Sequence, residues 1–248
     1  EHEAGGARGP QQAVGGGMKT FSTSKVRYLN GKFMFFAAHT TPSLATSWCY
    51  TSSDGLTWTQ NKVTDGRIGF VEFDSSPTLT VVGGSNGGQV ASSDLVTWVS
   101  HPVIPNGSGY DHNDVAYGNG KFFSSINGFG GTTYSSTDGV TWTSIPAATI
   151  PGGSRVETGN GIVIINGGSN YYRSTDGNTF TRITPTIPSG WLGQGPVTRF
   201  TGGRFLCTAA QIVGSTVITG ILSSTDGLAW SAVGFLPGTP AASPGTKA

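Results

Sequence analysis

The sequence predicts an all-β protein made of five copies of one four-stranded unit, and three observations predict it. A phrase of Ser/Thr, Asp, a tight turn and an aromatic is written five times, ending at Trp58, Trp98, Trp142, Phe180 and Trp230. A second pattern opens on Val26, Val71, Val115, Val156 and Val197 and runs upstream of the first in the same phase. No window carries a long apolar period of 3.6 residues, so almost no helix is expected. The shared spacing of roughly 40–50 residues is the signature of a solenoid, propeller or array.

Each unit can be read element by element. It opens with a short apolar strand, a Gly/Asn turn and a second strand, as in Val26-Arg27-Tyr28-Leu29-Asn30-Gly31-Lys32-Phe33. Val115 to Phe122 and Val156 to Val163 repeat this closely; Val71 to Leu79 and Val197 to Phe205 are looser versions. Asn-Gly between β-rich runs is a strong hairpin signal, because both central residues of a type I′ turn need positive φ. A third strand then leads into the aspartate phrase, for example Ser136-Thr137-Asp138-Gly139-Val140-Thr141-Trp142, and a fourth strand leaves it. The aspartate is suited to accept backbone N–H bonds and hold the turn. In the second unit Leu95 stands where the others have glycine, so that turn is expected to differ.

Four antiparallel strands running up and down form a propeller blade. The expected architecture is therefore a single five-bladed β-propeller over 24–235, with blades near 26–60, 71–100, 115–144, 156–182 and 197–232. A Gly-rich arm, 1–23, precedes it and a Pro/Gly/Ser tail, 236–248, follows. Closure is expected either by abutting blades one and five or by a terminal strand borrowed from around Ala13–Phe21. The aspartate phrases, with Asp54, Asp94, Asp138, Asp176 and Asp226 and their aromatics, resemble the Asp-box, or bacterial neuraminidase repeat. That repeat is usually Ser-x-Asp-x-Gly-x-Thr-Trp; here glycine directly follows the aspartate. The resemblance implies a propeller of the kind carried by sialidases and by phage tail and fibre proteins, with the Asp-boxes on the face opposite a sialidase active site.

Composition narrows the functional classes. Charged residues make up 11% of the 248 residues and the formal net charge is +1, which leaves no electrostatic footprint for nucleic acid. No apolar run of transmembrane length exists, so no membrane insertion is expected. The N-terminal lead has no apolar core of a secretory signal. Cys49 and Cys207 fall in units one and five; they are either a bridge across a closed ring or two buried small hydrophobes. No Cys/His cluster has zinc-ligand spacing, and neither a metal nor a cofactor is expected. A surface rich in Thr, Ser and Gly suits an extracellular or virion-surface location.

The repeated turns share one face, so variable loops, where binding residues concentrate, gather on the other. Candidate ligand-binding residues there are Tyr110, Asp111, His112, Trp191, Arg67 and Arg155. Trp191 reads either as a sugar-stacking platform or as a plug over the core. Tyr110 to Asp114 reads as a polar cluster or as a hydrogen-bonded linker. Arg27, Glu72, Ala116, Glu157 and Thr198 follow the five valines, and their opposite charges are expected to pair between blades. The leading functional expectation is a non-catalytic surface module that binds a glycan or host receptor, or decorates a virus particle, with assembly partners contacted through the termini. The alternative is a sialidase-like glycoside hydrolase acting on surface polysaccharide. Arg27, Arg155 and Arg199 come from different blades as a carboxylate-binding triad would, and Glu72, Glu157, Asp111 and Asp114 are the available carboxylates.

Overall fold

The computed structural model describes residues 20–40, 45–64, 70–84, 88–101, 112–126, 132–145, 150, 155–167, 170–213 and 216–235. These form an all-β chain of five antiparallel sheets with no helix among them. Blade one holds β1 (Thr20–Thr23), β2 (Arg27–Leu29), β3 (Lys32–Thr40), β4 (Ala45–Ser52) and β5 (Thr59–Thr64). Blade two holds β6 (Phe70–Ser75), β7 (Thr80–Gly84), β8 (Gln89–Ser92) and β9 (Val99–His101); blade three holds β10 (His112–Gly118), β11 (Lys121–Ile126), β12 (Thr133–Ser136) and β13 (Thr143–Ile145). Blade four holds β14 (Arg155–Gly159), β15 (Ile162–Gly167), β16 (Asn170–Ser174) and β17 (Thr181–Ile183). Blade five holds β18 (Trp191–Thr201), β19 (Arg204–Val213), β20 (Thr216–Ser224) and β21 (Ser231–Phe235).

Blades two to five pair their strands in chain order, and every blade is built from its own segment. Blade one has an inner strand in two pieces, β1 and β2, both paired with β3. Ser24 spans the break: its N–H donates to the Phe36 carbonyl and its Oγ accepts from the Phe36 N–H. Thr20 and Phe21 therefore extend their own blade instead of completing blade five, while 13–19 lie outside the described residues.

Turn chemistry explains the regularity. Asn30-Gly31, Asn119-Gly120 and Asn160-Gly161 all take positive φ at both positions, as a two-residue hairpin needs. Each of these asparagines also reaches across a blade boundary. Asn30 donates to the Ser76 carbonyl of blade two, Asn119 to Gly161 of blade four and Asn160 to Gly203 of blade five. Blade five has Gly202 at this position and no side-chain amide to donate.

The five aspartate turns share one network. In blade three, Ser136 Oγ donates to Asp138 Oδ1 at 2.8 Å and accepts from the N–H groups of Asp138 and Gly139, while Asp138 Oδ1 also accepts from Val140 and Thr141. Blade two makes the same bonds around Asp94, contrary to the expectation that its turn differs. Leu95 itself adopts the left-handed conformation, at φ 65, and its side chain packs on the core between blades one and two. That burial offsets the roughly 1–2 kcal/mol that a side chain costs there.

The core is four separate layers, one in each boundary between consecutive blades. Met34, Phe36 and Cys49 of blade one meet Phe73, Val82 and Val90 of blade two. Val81 and Ala91 of blade two meet Phe122, Tyr134 and Trp142 of blade three. Phe123 and Ile145 of blade three meet Val163, Ile165 and Phe180 of blade four. Ile162, Ile164 and Tyr171 of blade four meet Phe205, Leu222 and Trp230 of blade five. Among the described residues, no buried apolar cluster joins blade five to blade one. Cys49 and Cys207 are free thiols in different layers, one in the blade-one/two core and the other in the blade-four/five core. Burial pushes both up to about 12, so they stay protonated as small hydrophobes.

Candidate functional site

The five inner strands carry charge where they line the centre of the molecule. The residues opposite Met34, Val81, Phe123, Ile164 and Leu206 are Arg27, Asp74, Ala116, Glu157 and Arg199. The equivalent position in blade two is thus Asp74, not Glu72, and in blade five Arg199, not Thr198. A four-residue turn, Ser76 to Leu79, shifts blade two, and register breaks along β18 shift blade five. Counting from the lead valines could not see either change.

These side chains join consecutive blades. Arg27 donates to the Phe73 carbonyl and lies 3.3 Å from Asp74, with both side chains nearly buried. Asp74 Oδ2 accepts from the Tyr117 N–H of blade three, at 2.8 Å. Asp114 Oδ2 accepts from the Val156 N–H of blade four, at 3.1 Å, and its Oδ1 accepts from Val115. The Phe200 N–H of blade five faces the Glu157 carboxyl and favours its charged form. Burial nevertheless wins for these acids. It pushes Asp74 above its ordinary range despite Arg27. It raises Glu157 to about 7, and, with the charge of Glu72 beside it, raises Asp114 to about 7.

One cavity of ≈ 160 Å³ opens on this centre, lined by Lys25, Arg27, Glu72, Asp114, Arg155, Glu157 and Arg199, with Val115, Ala116 and Val156 between them. Its size suits one ring at its base, since a void of about 150 Å³ holds a benzene-sized molecule. Glu72 Oε1 accepts from Lys25 Nζ at 2.9 Å and lies 4.0 Å from Arg155 Nη1. Arg155 is partly exposed, and Arg199 makes no side-chain hydrogen bond or ion pair among the described residues. The site therefore combines a pair of carboxyls held protonated near neutrality, a carboxylate between two cations, and an arginine with open donors.

The candidate residues read from the sequence are distributed unevenly. Arg155 lines the axial cavity, as do Arg27, Arg199, Glu72, Glu157 and Asp114. His112 is fully buried, its Nδ1 2.6 Å from Ser124 Oγ, beneath the backbone of Gly83. Trp191 is buried in the blade-four/five core, where its ring lies against Gly220 so closely that a Cβ there would fall 2.5 Å from it. Tyr110, Asp111 and Arg67 lie outside the described residues. Lys25 escaped the sequence reading because it precedes the repeat; its signal is its place two residues before Arg27 on the same inner path. Among the described residues, no group of three or more His, Cys, Asp or Glu is placed to hold a metal ion.

Five four-stranded blades around a charged centre define a β-propeller. No family model matches the chain, and no curated protein matches it. Solved structures do. YjhT is similar at 10% identity and a TM-score of 0.52, covering 89% of this chain and 85% of that one. YCF48 bound to a peptide is similar at 16% identity and 0.48, covering 86% and 81%. A family 117 glycoside hydrolase from the marine bacterium Zobellia galactanivorans is similar at 16% and 0.43, covering 82% and 83%. At these identities the likeness is one of fold. Glycoside hydrolases recur among the further neighbours, and the expectation of a non-catalytic module finds no support there.

Proposed function

We propose that the chain is a glycoside hydrolase that takes an anionic sugar of a polysaccharide into the axial cavity. The observation that carries this reading is the set of carboxyls around one small cavity, with Glu157 raised to about 7 and Glu72 set between Lys25 and Arg155. Glycoside hydrolysis needs two carboxyl groups in opposite roles, one to donate a proton and one to activate water or attack the anomeric carbon. Asp114 has both oxygens committed to backbone N–H groups, which leaves Glu157 and Glu72 with oxygens free for chemistry.

Glu157 is the proton donor to the glycosidic oxygen, and Glu72 is the carboxylate that activates water or attacks the anomeric carbon. Arg155 and Arg199 supply the charge that holds an acidic sugar. The test is release of product from a panel of fluorogenic glucuronides and sialosides and of acidic polysaccharides. Glu157→Gln and Glu72→Gln should each lower kcat by about 10²–10⁴-fold while circular dichroism shows the fold retained. Activity should fall as pH rises above about 7, where Glu157 loses its proton. No turnover by the wild type on any substrate, or variants as active as the wild type, would sink the proposal.

A further inference from the structure

Among the described residues, the boundary between blades five and one shows none of the joints that the other boundaries use. Consecutive blades are held by an apolar layer, by an acidic or basic inner-strand side chain, and in three cases by a turn asparagine. At the fifth boundary the asparagine position is Gly202, and the inner-strand position is Arg199. The groups that face it across the cavity from blade one are Lys25 and Arg27, also cations.

The apolar layer is incomplete there too. By register, the blade-one face that should meet blade five carries Tyr28, Phe33, Phe35, Tyr50 and Trp58. These pack on one another: Phe35 stacks on Tyr50 at 4.6 Å, and Trp58 meets Phe35 edge-on at 5.1 Å. Their counterparts Trp142, Phe180 and Trp230 are buried against the preceding blade and the half-buried Trp98 meets Phe36 of blade one edge-on at 5.4 Å, whereas the half-buried Trp58 has its ring contact with Phe35 of its own blade and Tyr28 is 61% exposed. The turn glycines agree. A Cβ at Gly139 would strike Leu79 of blade two, at Gly177 it would press on Phe123 of blade three, and at Gly227 on Ile164 of blade four. At Gly55 its nearest neighbour would be Phe33 of the same blade, at 3.6 Å.

We propose that an anionic ligand is the missing joint of this fifth boundary: bound between Arg199 of blade five and Lys25 and Arg27 of blade one, it draws the two blades together and closes the ring. Where the carboxyl oxygens of Asp74, Asp114 and Glu157 accept a backbone N–H of the next blade at their boundaries, the ligand's carboxylate or sulfate supplies the acceptor here. Arg27 and Arg199 both act on Asp74 and Glu157, acids that burial drives toward the neutral form, so an anion that bridges the cations gains from both. The inference rests on the axial cavity taking an acidic ligand, and does not require turnover.

Hydrogen exchange measured by mass spectrometry tests it, with glucuronate, inorganic sulfate and glucose as probes on the full chain. Glucuronate should slow exchange at least tenfold in β3 and β4 of blade one and β19 of blade five, while the blade-three/four core stays unchanged. Sulfate doing the same supports a joint made by charge alone; glucose should do nothing. Arg199→Gln should abolish the protection, and Arg199→Lys should restore part of it, which separates loss of the cation from damage to the fold. If the wild type shows protection but no hydrolysis of any substrate, the hydrolase reading fails and the joint stands. Equal protection by glucose, protection that survives Arg199→Gln, or no protection by either anion overturns it.

Discussion

Replacing Trp230 and Trp58 one at a time by alanine measures the fifth boundary against its neighbour. The two tryptophans occupy the same position in the same turn, and each donates from Nε1 to the turn-glycine carbonyl, at 3.1 Å to Gly227 and 3.2 Å to Gly55. That local bond is lost in both variants and cancels in the comparison. Trp230 is 5% exposed in the layer with Ile162, Ile164, Phe205 and Leu222, so its removal should cost about 3–5 kcal/mol, as for other buried aromatics. Trp58 is half-buried, and its ring contact is with Phe35 of its own blade. An aromatic pair of this kind is worth about 0.5–1.5 kcal/mol, so with its partial burial Trp58→Ala should cost roughly 1–2 kcal/mol. For a chain of this size these losses lower Tm by about 10 °C and about 4 °C. Urea unfolding followed by far-ultraviolet circular dichroism, at low ionic strength and without added anions, gives both values. Equal losses would mean that blade five covers Trp58 as blade four covers Trp230, and the open-boundary reasoning would be wrong.

Other consequences can be measured alongside. Stability should peak near about pH 4–5, because two sets of acids act in opposite directions. Turn hydrogen bonds hold Asp54, Asp94 and Asp138 down at about 2, a contribution present above the ordinary carboxylate range and lost as pH falls toward 2. Asp114 and Glu157, raised to about 7, contribute below their ordinary range and lose that contribution as pH rises through 7; a stability profile still climbing from pH 5 to 8 would refute this. Arg27→Met should cost about 3–5 kcal/mol by stranding Asp74 next to the blade-two/three joint, and Arg27→Met with Asp74→Asn should recover part of it in the same denaturant assay. Gly31→Ala meets nothing within 4 Å and should cost only the roughly 1–2 kcal/mol of its left-handed backbone. Gly139→Ala adds contact at 2.6 Å with Leu79 and should cost about 2–5 kcal/mol; equal losses at the two sites would contradict the packing between blades two and three.

The repeat was legible because its parts are local. Asn-Gly and Ser-x-Asp phrases state their own turns, and a turn of fixed geometry sets the register of the strands on either side. What the repeat could not state is how blades face one another, since that depends on side chains far apart in sequence. Asp74 reads as one acid of a strand until Arg27 and the Tyr117 N–H are found at its carboxylate, 47 and 43 residues away. Leu95 shows the same limit in reverse: it breaks the glycine rule locally, and the core between blades one and two holds it in place. The axial cavity was half visible, because Arg27, Arg155, Arg199, Glu72 and Glu157 could be gathered from the strand phase, but not which of them are spent on joining blades. Trp191 was the opposite case: a residue outside the repeat stands out in a sequence, yet here it is buried against Gly220. Breaks in the pattern mark positions where the scaffold is not repeating, and both a ligand and an ordinary core contact can be the reason. Only a side chain's partners separate the two, and Arg199 is the break whose guanidinium makes no hydrogen bond or ion pair among the described residues and faces the axial cavity.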